Sequence, residues 1–356
     1  MQRCPIGGGG QIGYSSGTMN SGYFLGMLQA GAADRPGRRC LLAPMSGVSD
    51  VGFRRIVARL GAGMVVTEMV AAAAYLVSAE EARLRAEGDG ITPHVVQLVG
   101  RDPAPMGEAA RLAEANGADI IDINFGCPAK RVTGALCGSA LMREPSLALS
   151  IVEAVRAAVD VPVTVKMRLG WDDSALNAPE LARLFVGSGA GAVTVHGRTR
   201  QQFYTGRADW GAIRATVDAV PVPVVANGDV VDLASARACL ARSGAAAVMV
   251  GRAAIGQPWL VGHIAAGLDG LPYSAPEPAE KAALAIAHYE EMLRLYGRRM
   301  GVRHARKHLA AYADRAAEAG FGLDPRDRRD LVTAEDPTRV AGILARLYDI
   351  PSRLAA

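Results

Sequence analysis

Ile120-Ile121-Asp122-Ile123-Asn124-Phe125-Gly126-Cys127-Pro128 is the stretch from which the fold can be read. Three isoleucines make a short apolar run, Ile120–Asn124, that stops in a Gly-Cys-Pro turn. A short, β-branched run bounded by Gly or Pro is the signature of a parallel strand buried on both faces. Working outward, the pattern recurs at Leu41–Met45, Met64–Glu68, His94–Val99, Pro162–Arg168, Ala192–Arg198, Pro223–Gly228 and Ala247–Arg252. Helical patterns lie between these runs, near 50–60, 104–116, 145–158, 178–188, 209–219, 232–242 and 258–267, and the 69–93 gap has room for another. Eight strand–helix units predict an α/β fold closed into a (β/α)8 TIM barrel, with an open doubly wound sheet as the alternative.

A barrel needs roughly 250 residues, and this chain has 356. The surplus lies at the two ends. Residues 1–38 are rich in Gly, Ser and Ala without periodicity and read as a disordered leader. Leu271–Pro278 carries three prolines and reads as a linker, after which 279–318 and 335–348 have helical spacing. The expected organisation is therefore a leader (1–38), a barrel (39–270) and a small all-helical domain (279–356). Half the residues are apolar, enough for a sizeable core, and the net charge of +4 permits a nucleic-acid partner without demanding one. The five cysteines (Cys4, Cys40, Cys127, Cys137, Cys239) include no C-x-x-C pair, which argues against a disulfide framework or a structural zinc site and fits a cytoplasmic protein. No run of 18 apolar residues suggests a membrane span. Gly8–Gly13 matches G-x-G-x-x-G formally, but no strand precedes it, so it is not read as a dinucleotide site.

Barrels of this kind carry their active sites at the C-terminal ends of the strands. Here those ends hold Pro44-Met45, Gln97, Asn124 with Cys127, Lys166-Met167-Arg168, His196-Gly197-Arg198, Asn227-Gly228-Asp229 and Gly251-Arg252. The Gly-containing turns after the last two strands each lead into a helical segment. That is where backbone N–H groups face a phosphate, and Arg252 adds a charged fork. Lys166 and His196, on adjacent strands, suit stabilisation of negative charge on a bound ring; a Schiff-base lysine is the rival reading. Cys127 could donate a proton or, if ionised, attack as a nucleophile, and Cys137 is a second candidate. Downstream, Arg294–His308 holds six cations and no acid, with Arg299, Arg303 and Arg306 on one helical face. Such a stripe suits a phosphate backbone, although a solvated helix face explains it as simply.

The segments Ala43–Asp50, Asp122–Lys130, Pro162–Lys166, Val195–Arg200, Asn227–Asp229, Met249–Arg252 and Arg306–Leu309 together resemble the tRNA-dihydrouridine synthases, with Gly126–Lys130 and Arg306–His308 nearest the bacterial B-type branch. The resemblance implies an FMN-binding barrel followed by a tRNA-binding helical domain, with NADPH as transient reductant. It implies that Pro44, Met45 and Ser46 line the flavin, Gln97 bonds its ring, and Lys166 and His196 lie near ring and ribityl chain. Asn227, Gly228, Asp229, Gly251 and Arg252 would hold the phosphate end, and Asn124 and Arg198 would contact the target uracil. Arg299, Arg303, Arg306 and Lys307 would face the RNA. In the implied reaction a D-loop uridine is flipped into the barrel mouth, hydride passes from flavin N5 to C6, and Cys127 protonates C5. The chain departs from the pattern at Ala311, where many B-type members carry an aromatic, and at Cys137, a position often held by a smaller residue. The expected product is an enzyme, monomeric by default. The alternatives are an FMN barrel oxidoreductase for a small pyrimidine or enone, and a non-enzymatic RNA-binding flavoprotein.

Overall fold

The computed structural model describes residues 39–134 and 136–349; the expected leader lies outside them. Among the described residues there are nine parallel strands: β1 (Cys40–Leu42), β2 (Met64–Val66), β3 (Val70–Ala71), β4 (His94–Val99), β5 (Ile120–Phe125), β6 (Val163–Arg168), β7 (Ala192–His196), β8 (Val224–Asn227) and β9 (Ala247–Val250). β1 pairs with both β2 and β9, and β2 pairs with β4 through Val65 and His94, so the sheet closes on itself. β3 pairs with the far end of β4, continuing the line of β2. The ring therefore has eight staves, the second interrupted by Thr67–Met69. The eight runs read from the sequence are these eight staves, and the open-sheet alternative falls.

Closure follows from side-chain alternation. One set of strand residues, including Leu42, Val65, Val96, Ile121, Ile123, Val163, Val165, Val193 and Val248, packs outward into the main core beneath the helices. The alternate set, including Leu41, Met64, Val66, Val95, Ile120, Ala192, Val225, Ala247 and Met249, fills the barrel's interior. Farther along the same inward-facing rows the residues turn polar: Gln97, Asp122, Asn124, Thr164, Lys166, Thr194, His196 and Asn227. The barrel is thus apolar at one end and polar at the end where the strands stop.

The outer helices fall close to the sequence reading, as at Pro103–Ala115 and Pro145–Ala158, and the 69–93 gap holds two short helices, Ala72–Leu76 and Glu80–Ala86. The helical region differs more. Residues 278–318 are not one rod. At Gly297 the backbone leaves helical geometry (φ 70°, ψ 160°), and the two halves fold back on each other. The Tyr296 and His304 rings lie 4.6 Å apart, tilted, and His288 meets His308 edge-on at 4.6 Å, while a Cβ at Gly301 would sit 2.7 Å from the Met292 carbonyl oxygen. Only glycine combines that positive φ with a tight reversal. A helix over Pro325–Thr333, not anticipated, and one over Pro337–Arg346 complete a second core around Tyr289, Met292, Leu309, Tyr312, Ile343 and Leu344. Among the described residues no helix is long and apolar enough to cross a membrane.

Candidate active site

A cavity of about 560 Å³ opens at the polar end of the barrel, within the 300–1,000 Å³ range of small-molecule sites. Pro44, Met45, Ser46, Asn124, Cys127, Lys166, His196, Asn227, Gly228, Asp229, Gly251 and Arg252 all line it. Residues scattered over two hundred positions are gathered there because each ends a strand of one closed ring.

Beneath the cavity floor a buried hydrogen-bond chain sets the geometry. Thr164 Oγ1 donates to Asp122 Oδ1 (2.6 Å), and Gln97 Nε2 donates to Asp122 Oδ2 (2.7 Å). Asn124 Nδ2 donates to Gln97 Oε1 (2.8 Å), while Asn124 Oδ1 accepts from the backbone N–H groups of Gly126 (3.1 Å) and Cys127 (2.9 Å). Burial raises the pKa of Asp122, against the hydrogen bonds from Gln97 and Thr164. Asn124 is thereby held oxygen-outward to the Gly-Cys-Pro turn, and Cys127 is held at the cavity wall. From its other side, Ser139 donates through N (3.1 Å) and Oγ (2.8 Å) to the Cys127 carbonyl. Gly138 (φ +59°) allows that approach: a Cβ there would lie 3.2 Å from Cys127 Cβ and 2.9 Å from Val132 Cγ1. Asp122 and Thr164 were missed by strand-end reasoning; the signal available was polar residues at alternate positions inside otherwise apolar strands.

Burial raises the pKa of the Cys127 thiol, with Arg168 and Lys166 only partly opposing it, so near neutral pH the thiol keeps its proton. That chemistry suits a proton donor better than a thiolate nucleophile. Cys137 lies outside the cavity lining, before the turn that holds Cys127.

The opposite wall is cationic. Lys166 Nζ donates to Asn227 Oδ1 (3.0 Å), and Asn227 Nδ2 donates to the Met249 carbonyl (2.8 Å). Burial and then Arg168 lower the Lys166 pKa to about 8. Burial, reinforced by Lys166, Arg168, Arg198 and Arg252, holds His196 well below its ordinary value, so its ring is neutral. His196 Nδ1 is buried without a hydrogen-bond partner. The Gly228 turn (φ +116°) passes so close that a Cβ would stand 2.8 Å from Ala208 Cβ and 3.4 Å from His196 Nε2. An orphaned ring nitrogen, a backbone turn bare of side chains and a cationic wall fit a polar ring compound with an anionic tail.

Other expected site residues lie away from the cavity or are already engaged. Gln97 is fully buried and lies below the cavity, its amide engaged with Asp122 and Asn124; it braces Asn124 rather than facing a ligand. Arg198 is 2% exposed and does not line the cavity. It donates to both Asp229 carboxylate oxygens (3.0 and 2.7 Å) and to the Thr205 and Gly206 carbonyls, so four of its five N–H groups are already engaged. The Asp229 carboxylate is engaged in turn, by Arg198 and by Ala208 N (2.8 Å), with Arg252 at 3.5 Å. What Asp229 offers an anion is its backbone and the arginines it holds. Lys307 reaches back to the first strand's loop, its Nζ 2.7 Å from where a Gly47 Cβ would be. Of the basic stripe, Arg299, Arg303 and Arg306 are exposed, make no ion pair among the described residues and lie outside the cavity lining. Arg168, one of the strand-end residues, lines it, as do Met69, Tyr204, Ile255 and Arg315, which were not anticipated.

The loop bearing Met45 and Ser46 is tied to the helical region from below. Asp50 caps the helix Val51–Arg59 through Phe53 N (3.1 Å) and accepts from His288 Nε2 (3.3 Å), with His308 Nε2 at 3.9 Å. His288 Nδ1 meets the Tyr312 hydroxyl at 3.2 Å. The ligand-type atoms of Asp50, His288 and His308 lie within 4.8 Å of one another, close enough to hold a metal. Asp50 and His288 are hydrogen-bonded and form a brace, while both ring nitrogens of His308 are buried without a hydrogen-bond partner.

The sequence profile described as "Dihydrouridine synthase (Dus)" matches residues 41–325. The chain belongs to the dihydrouridine synthase family. It is 50% identical over 310 residues (87% of this chain, 94% of the other) to "Probable tRNA-dihydrouridine synthase" of Rhizobium leguminosarum bv. phaseoli. Identity to the protein of that name from Rhodobacter capsulatus is 51% over 312 residues (86% and 94%). To "tRNA-dihydrouridine synthase B" of Pseudomonas aeruginosa it is 46% over 278 residues (77% and 83%). The matched span covers the whole barrel and the helical hairpin.

Proposed function

We propose that the chain is a flavin-dependent tRNA-dihydrouridine synthase. It would reduce the C5–C6 double bond of a D-loop uridine, with FMN in the barrel cavity and NADPH as reductant. The observation that carries this reading is the Cys127 thiol in one cavity with Lys166, neutral His196 and Arg252. Residues 39–270 would form the cofactor-binding domain and 279–356 the tRNA-binding one.

The chemistry that FMN supplies when bound is delivery of a hydride to uracil C6. The chain's residues do the rest. Pro44, Met45 and Ser46 form one wall. Asn227, Gly228 and Gly251 offer backbone and amide groups, and Arg252 the charge, for the phosphate end. Lys166 offsets negative charge on the reduced ring, and neutral His196 can donate or accept a hydrogen bond there. Cys127 gives its proton to C5, a contribution worth roughly 10²–10⁴-fold. Asn124 acts on that step through the Cys127 backbone. Flipping a uridine out of its stack costs a few kcal/mol, which contacts at the cavity mouth and the exposed Arg299, Arg303 and Arg306 would offset.

The test is visible absorption of the purified protein, then NADPH oxidation with and without tRNA lacking dihydrouridine. Flavin bands with tRNA-dependent oxidation are expected. A protein that neither carries nor takes up FMN would refute the cofactor. Flavin bands with no response to tRNA would shift the substrate to a small pyrimidine or enone.

A further inference from the structure

Among the described residues lining the cavity, all but one lie between Ala43 and Ile255, in the barrel; the exception is Arg315, from the second arm of the helical hairpin. Its presence there is enforced by backbone packing. Gly256 (φ +77°) follows Ile255, and a Cβ on it would lie 2.4 Å from the Ala311 carbonyl oxygen and 2.9 Å from Tyr312 N. The barrel's last loop and the helix therefore touch backbone to backbone at Ala311. Arg315 stands one helical turn beyond Ala311, on the same face, and so overlooks the Arg252–Ile255 segment.

Charge at this end of the cavity is unbalanced. The single carboxylate of the lining, Asp229, is claimed by the buried Arg198. Arg252 is 57% exposed and lies over the Tyr204 ring at 4.8 Å, while Arg315 is 33% exposed and paired with the more exposed Glu318 at 2.6 Å. An exposed ion pair of this kind is worth little by itself, so Arg315 can exchange Glu318 for a better anion. Two partly exposed guanidinium groups, one from each region, thus line the same cavity as the Gly228 and Gly251 turns.

We propose that Arg315 closes the phosphate end of the cavity, so that a phosphomonoester dianion is gripped by Arg252 from the barrel and by Arg315 from the helical region. This rests on the flavin-nucleotide reading above and extends it: the cofactor's phosphate would tie the two regions together. An RNA backbone phosphate is the other source of the same chemistry, and the experiment separates the two.

Flavin-free full-length protein is titrated with FMN and with riboflavin, which lacks the phosphate, following flavin fluorescence. For Arg315→Ala the FMN dissociation constant is expected to rise about tenfold, the lower end for a charge-assisted contact, with riboflavin unchanged; Arg315→Lys should recover part of the loss. Equal weakening of both flavins would mean altered cavity shape and overturn the proposal. Unchanged FMN affinity, with weaker tRNA binding whose log–log salt slope falls by about 0.7–0.9, would assign Arg315 to the RNA backbone and overturn it too. If the wild-type chain binds neither flavin, the cofactor reading itself fails, an outcome visible before any variant is compared.

Discussion

Lys166→Met should make the flavin-free protein more stable near neutral pH while weakening its hold on an anionic ligand. The ammonium sits inside the barrel, and burial brings its pKa from 10.5 to about 8. Each tenfold change in proton affinity corresponds to about 1.4 kcal/mol, so keeping the charge there costs on the order of 3 kcal/mol. Nζ faces the cavity, where water relieves some of that cost, and Met would leave Asn227 Oδ1 without its donor, a loss of about 1 kcal/mol. The net gain expected at pH 7 is therefore about 1–2 kcal/mol. Its pH dependence is the sharper test. Between the folded value near 8 and the unfolded value near 10.5 the unfolded chain binds more protons, so wild-type stability from this group rises with pH across that window. The variant lacks the term, and its advantage should shrink by about 2–3 kcal/mol from pH 7 to pH 10.5. Urea unfolding of both proteins at several pH values measures this. Parallel profiles, or a variant less stable at pH 7 by the same amount as at pH 10, would refute a buried, strained ammonium.

Cys127→Ala should retain flavin and tRNA binding and lose roughly 10²–10⁴-fold in single-turnover uridine reduction; near wild-type rates would remove Cys127 from the proton-transfer role. Gly138→Val should disturb the same site indirectly. The new Cβ meets Val132 and the Cys127 carbonyl at a positive φ, costing about 1–3 kcal/mol in thermal or urea unfolding, with turnover falling alongside; unchanged stability would contradict the close approach. Asp50→Ala removes a helix cap and strands His288, so a loss of about 2–4 kcal/mol in urea unfolding is expected, with Asp50→Asn milder. A loss below about 1 kcal/mol would mean the cluster is not a brace.

The barrel was legible because its signal is local and repeated. Each stave is a β-branched run stopped by Gly or Pro, and eight such runs in alternation with helices admit few arrangements. Cys127, Lys166, His196, Asn227 and Arg252 were legible for the same reason: a residue at a strand's end needs only the strand to be placed. Other features have no local signature. Whether Arg198 faces a ligand or Asp229 depends on a turn thirty residues away, and whether Gln97 lines the cavity or supports it depends on how deep its row lies in the barrel. The helical stretch from 278 to 318 looks continuous because Gly297 lowers helix propensity only modestly; the reversal there is decided by packing of Tyr296 on His304 and of His288 on His308. Arg315 was invisible as a cavity residue because nothing near it in sequence belongs to the site, and backbone contact between Gly256 and Ala311 brings it there. By itself the sequence determined the strands, their order and the chemical groups at their ends, all consequences of side-chain periodicity and backbone preference. Tertiary structure alone decided which of those groups spend their hydrogen bonds on each other and which stay open to a ligand, because that depends on distances between chain segments far apart in sequence.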